Sequence, residues 1–119
     1  MKDDVEIGEY IRTVFGDIGK VYDKLELLEP TTYFFLGIDN LKRSAEDYLI
    51  VKHSNKIIDL IYEGDYVNND IVDDVKFDDL MEATRIHFKS GYFLDEQFIR
   101  RIVTKEKLEE VAYKVNEVN

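Results

Sequence analysis

Residues 63–82, EGDYVNNDIVDDVKFDDLME, hold eight carboxylates (Glu63, Asp65, Asp70, Asp73, Asp74, Asp78, Asp79, Glu82) against one base, Lys76. Carboxylates at this density suit three kinds of chemistry: holding a hard cation, acid–base hydrolysis, or presenting a negative face to a basic partner. Cation binding needs oxygens that converge, and Asp65, Asn69, Asp73 and Asp74 would converge only in a loop. The stretch lacks the central glycine and closing glutamate of an EF-hand loop, and Ile71, Val72 and Val75 read as structural. Hydrolysis needs two carboxylates in different environments or a metal-activated water. With 26 acids in 119 residues, pairs arise from density alone, and Glu110 with Lys114 reads as a surface pair. The negative face follows from concentration. The first 62 residues carry 12 acids and 8 bases, and those after Glu82 carry 6 acids and 7 bases, so the charge of −10 is centred on this stretch. The reading therefore expects Asp65, Asp70, Asp73, Asp74, Asp78 and Asp79 as a contact face, with Tyr66 as its aromatic anchor.

Other chemistry is thinly supported. Cysteine is absent, which excludes disulfides, thiolate nucleophiles and thiolate metal sites. His53 sits beside Ser54 without a nucleophile elbow, and His87 lies between Ile86 and Phe88; both read as structural hydrogen-bonding groups. The glycines build neither a Walker loop nor a dinucleotide turn. Arg100, Arg101, Lys105 and Lys107 form a small basic cluster beside Glu106, Glu109 and Glu110, so direct nucleic-acid binding is not expected. No catalytic residue, metal or cofactor is expected, and the chain is read as a non-enzyme. Its start has no signal-peptide core and no run reaches membrane-spanning length, which suits the cytoplasm.

The elements that must position these residues read as α+β: a small, strongly bent, mostly antiparallel sheet or SH3-like partial barrel with two to four short helices. Residues 1–119 are expected to make one compact domain. EYIRTV (9–14) and IGKVYD (18–23) form a hairpin around Gly16-Asp17, and TTYFFLGI (31–38) makes a third strand after Pro30. A short helix is expected over 40–46, a strand over 48–53, a helical turn at the isoleucines that follow Ser54, and another short helix over 78–83 before a strand at 84–89. YFLDEQFIRRIV (92–103) fits helix or strand, Thr104 caps a short helix over KEKLEE, AYKV (112–115) is a strand and 116–119 frays. Ile7-Gly8-Glu9-Tyr10-Ile11 echoes Glu63-Gly64-Asp65-Tyr66-Val67, which supports two separate strand starts behind a glycine turn.

Three blocks, EYIRTVFGDIGKV, YLIVKHSNKIIDLIYEGDYVNNDIV and IVTKEKLEEVAYKV, resemble a family of small phage and prophage proteins of Gram-positive bacteria. The chain departs from that pattern after GDYVN, where acids stand in place of a more neutral hairpin. No catalytic residue is established for the family, so none is carried over. The resemblance implies an accessory protein that modulates a host complex, some small acidic examples being similar to anti-CRISPR proteins. The acidic face suits docking on a basic surface, and the resemblance implies an inhibitor, monomeric or homodimeric, whose carboxylates would imitate nucleic-acid phosphates and occlude a basic host protein or nucleoprotein complex. A self-assembling virion or prophage structural protein is the second reading, and a small metal-dependent hydrolase the third.

Overall fold

A glycine and an acid set up the first strand in each half of the chain. The computed structural model describes residues 4–27 and 29–109, which fall into two units divided between Leu60 and Ile61. In the first unit Gly8 takes φ +100°, a left-handed conformation that a Cβ would penalise. The Glu9 carboxylate turns back to accept from Glu6 N at 2.7 Å, while Glu9 N donates to Glu6 O at 3.0 Å. In the second unit Gly64 takes φ +92°, Asp65 accepts from Tyr62 N at 2.7 Å, and Asp65 N donates to Tyr62 O at 3.1 Å. Each turn is tied to its hairpin partner by the same two bonds. Gly8 N and Val21 N bond Val21 O and Glu9 O, and Gly64 N and Val72 N bond Val72 O and Asp65 O. The five-residue echo thus marks equivalent positions in two units.

The equivalence extends through both sheets. The first unit runs β1 (Tyr10–Thr13), β2 (Ile18–Leu25), β3 (Thr32–Gly37), β4 (Lys42–Glu46), a 3-10 turn (Asp47–Leu49), β5 (Ile50–Ser54) and a second 3-10 turn (Ile57–Leu60). The second runs β6 (Tyr66–Val67), β7 (Asp70–Asp78), β8 (Ala83–Phe88), β9 (Phe93–Asp95), a 3-10 turn (Glu96–Phe98), β10 (Ile102–Val103) and a helix, α1, over 105–109. All described strand pairs are antiparallel, in the orders β4-β3-β2-β1-β5 and β10-β6-β7-β8-β9. Taken strand for strand, these are one order repeated.

Burial follows the strand period of two. In the first unit Ile11, Val21, Tyr33, Phe35, Ala45 and Ile50 join Val5 in one core. In the second, Val67 pairs with Ile102 and Val72 with Phe88, all buried, and Ile86 is fully buried beside Val75. A bulge in the second strand of each unit keeps this pattern in phase. Register shifts between Val21 and Asp23, and again between Val72 and Asp74. Val72 and Val75 are three residues apart and would fall on opposite faces of a regular strand. The extra residue returns both to the side of Phe88 and Ile86.

The structure is mostly antiparallel β, with fewer helices than the sequence suggests. Among the described residues α1 is the single α-helix, so the expectation of two to four short helices is corrected, and both misplaced helices fail at a turn. Residues 42–46 are strand β4, because Asn40 takes φ +68° and Asp39 engages Leu41 N and Arg43 instead of capping a helix. That hairpin places Ala45 opposite Tyr33 in the core. Residues 79–82 are a hairpin turn, with Glu82 at φ +51° and the Asp78 carboxylate accepting from Leu80 N and Met81 N. The isoleucines after Ser54 do make a helical turn, of 3-10 type, and Thr104 O accepts from Lys107 N and Leu108 N at the start of α1. The AYKV strand, residues 116–119 and the Glu110–Lys114 pair lie outside the described residues.

The Asp39–Arg43 pair gives a measurable signature. Arg43 donates to both carboxylate oxygens, Nη1 to Oδ1 at 2.6 Å and Nη2 to Oδ2 at 2.7 Å, and this bonding holds the Asp39 pKa at about 2. Because the folded value lies below the ordinary 3.8, the pair's small contribution to stability is present above pH ~4 and is lost as pH falls towards 2. Carboxyl NMR titration should find Asp39 titrating below the ordinary carboxylate range, and Arg43→Ala should return it to that range.

Candidate interaction surface

The seven residues singled out from the sequence do not form one ladder. Asp65 is wholly buried: its Oδ2 accepts from Tyr62 N at 2.7 Å and its Oδ1 from Lys105 N at 2.9 Å. Lys105 opens α1, so this carboxylate caps the helix and closes a turn; it is a structural acid and does not reach the surface. Tyr66 begins β6 and is 36% exposed, with its backbone in the ladder opposite Ile71 and Val103. Asp70 opens β7 half-buried and accepts from Ser90 Oγ at 2.7 Å. Asp78 closes β7 and is engaged on both oxygens, by the turn amides and by Arg85 Nη1 at 3.4 Å. Asp79 is exposed in the β7–β8 turn.

Asp73 and Asp74 remain, and the bulge explains them. Strict alternation would send one of two adjacent residues inward, but the extra residue leaves both exposed beside each other. Neither makes an ion pair among the described residues. Lys76 lies two residues further along, opposite Arg85 in the register. The exposed negative charge is therefore a compact cluster at the bulge with an outlier at the hairpin tip, bounded by bases, and not a regular series along the strand.

Beside it lies a group the sequence did not announce. Arg85 donates from Nε to Asp95 Oδ1 at 2.8 Å, and its guanidinium carbon stands 4.4 Å from the centroid of the Phe93 ring. His87 packs against the same ring at 6.1 Å. The pairs Arg85–Asp95 and His87–Phe93 are direct neighbours across β8 and β9; the strand at 84–89 was expected, whereas 92–103 fitted helix or strand, which left its partner open. This cluster ties up Asp78 and Asp95 and subtracts them from the negative surface.

Comparison with protein-family models, with curated proteins and with solved structures found no match to this chain.

The remaining candidates fall into structural roles. His53 Nδ1 donates to Glu9 Oε1 and Oε2 at 3.1 and 3.2 Å, fastening β5 to the turn before β1. Ser54 Oγ donates to Asp59 Oδ2 at 2.6 Å and accepts from Lys56 N at 3.1 Å, shaping the 3-10 turn. Among the described residues no group of three His, Cys, Asp or Glu side chains is placed to hold a metal ion, and no helix is long and apolar enough to cross a membrane. Sequence reading also passed over Arg12, which is buried and donates from Nη1 to Leu60 O at 2.8 Å, and Asn68, whose side chain bonds Phe98 O, Arg100 N and Arg101 N.

Proposed function

We propose that the protein is a non-enzymatic interaction protein that docks the β7 carboxylates onto a basic protein surface and so occludes it. The observation that carries this reading is the bulge that exposes Asp73 and Asp74 side by side, with no ion pair to either among the described residues. In a chain of net charge −10 such a cluster steers it towards a positive partner and fixes the register of docking. The partner class is a host nucleic-acid-binding or nuclease complex, because its groove already accommodates clustered negative charge. Tyr66, Asp70 and Asp79 flank the contact. The phage and prophage proteins that the sequence blocks resemble are the setting, with an anti-CRISPR-like inhibitor acting in the host cytoplasm. Occlusion here relies on local charge more than on a phosphate-like spacing.

We read the two units as SH3-like barrels in tandem, a reading supported by their shared five-strand order and by the 3-10 turn ahead of the fifth strand in each. That architecture hosts many functions and supports a binding role only by analogy. The test is capture from a Gram-positive host lysate. A nucleic-acid-binding complex should be retained at low salt, displaced by duplex DNA, and lost with Asp73→Lys/Asp74→Lys.

A further inference from the structure

Leu80 and Met81 stand at the tip of the β7–β8 hairpin, 95% and 57% exposed, between the carboxylates of Asp79 and Glu82. Neither acid makes an ion pair among the described residues. The tip is held in shape from below: Asp78 Oδ1 accepts from Leu80 N at 3.0 Å and from Met81 N at 3.2 Å, and Oδ2 accepts from Arg85. An apolar pair exposed on a preorganised, acid-flanked turn suits a cleft with an apolar floor and a basic rim.

The first unit carries such a cleft. Lys20, Val21, Tyr22, Leu36 and Lys42 line an open hollow of about 320 Å³. The register runs Lys20–Leu36–Lys42 straight across β2, β3 and β4, so Leu36 sits between the two lysines on one sheet face. Tyr22 and Leu36 are exposed there, and the charged groups of the lining are both cationic, against the sign of the chain as a whole. The ammonium groups rest 5.7 Å from the Tyr10 ring and 6.0 Å from the Tyr22 ring, and neither lysine has a carboxylate partner among the described residues.

We infer that this cleft receives the Asp79–Glu82 tip of a second copy of the chain. Leu80 and Met81 cover Tyr22 and Leu36, and Asp79 and Glu82 meet Lys20 and Lys42. Glu26 and Leu27, which follow β2 in the first unit, make the poorer occupant, because Lys24 Nζ already holds Glu26 at 3.2 Å. Tip and cleft are different surfaces, so the junction is heterologous. It goes beyond the proposed function and makes no use of Asp73 or Asp74.

Sedimentation velocity of the full chain tests it. The wild type should self-associate with rising concentration. Lys20→Glu/Lys42→Glu and Leu80→Ser/Met81→Ser should each weaken association about tenfold or more. All four positions are exposed, and circular-dichroism melting checks that the folds persist. An equimolar mixture of the two variants retains one intact tip and one intact cleft, and should form 1:1 heterodimers. A wild type still monomeric at about 1 mM overturns the inference, including the case where the tip docks within its own chain or the cleft accepts only a foreign acidic peptide. Variants that associate like the wild type, or a mixture that forms no heterodimer, overturn it as well.

Discussion

Asp65→Ala should cost about 3 kcal/mol of unfolding free energy, while Asp73→Ala, eight residues away in the same acidic stretch, should change it by less than about 0.5 kcal/mol. The difference lies in what each carboxylate touches. Asp65 is wholly buried and answers two backbone amides, Tyr62 N and Lys105 N, so truncation strips the lead-in turn and the start of α1 of a shared acceptor. A carboxylate is a stronger acceptor than a neutral oxygen, and both of these bonds are part-buried. Asp73 stands outside the ladder in solvent and gives up only a charge. Asp65→Asn keeps one acceptor oxygen and should fall between the two. Urea denaturation followed by circular dichroism gives the ranking, and an Asp65→Ala loss no larger than that of Asp73→Ala would refute the structural role assigned to Asp65.

Gly19→Ala should be about as damaging, roughly 3 kcal/mol, by a different route. A Cβ there would come within 2.5 Å of both the Leu36 carbonyl oxygen and Phe35 Cδ2, and within 2.9 Å of Gly37 Cα. Two of those three atoms are backbone of the paired strand β3, where Gly19 faces Gly37, so relief requires displacing the ladder itself. Gly8→Ala is the control. A Cβ at Gly8 meets nothing within 4 Å, and its cost is the strain of φ +100°, about 1 kcal/mol. Thermal melts that rank Gly8→Ala as the worse variant would contradict this packing.

The strands were legible where the side chains alternate or a glycine marks the turn. EYIRTV, IGKVYD and TTYFFLGI became β1, β2 and β3, and the glycine–acid–tyrosine echo found both strand starts. The helices at 40–46 and 78–83 misled because their residues favour a helix locally, whereas Asn40 and Glu82 at positive φ and the carboxylates of Asp39 and Asp78 fix hairpin turns. The repeat of a whole strand order was hidden because the two units share backbone bonds and buried positions more than residues. Val21 and Phe35 have counterparts in Val72 and Phe88, yet Tyr22-Asp23 stands where the second unit has Asp73-Asp74. Charge counting identified the acidic stretch. It did not separate the buried cap Asp65, the turn-holding Asp78 and the exposed Asp73–Asp74 pair, because that sorting depends on a bulge and on cross-strand partners.

The most direct measurement of the interaction reading is capture from a Gram-positive host lysate by the wild type and by Asp73→Lys/Asp74→Lys, side by side, with urea stability confirming that both are folded. The wild type should retain a nucleic-acid-binding complex that salt and duplex DNA release, and the reversed pair should retain none of it. Equal retention by the two proteins, or retention that neither salt nor DNA disturbs, would contradict it.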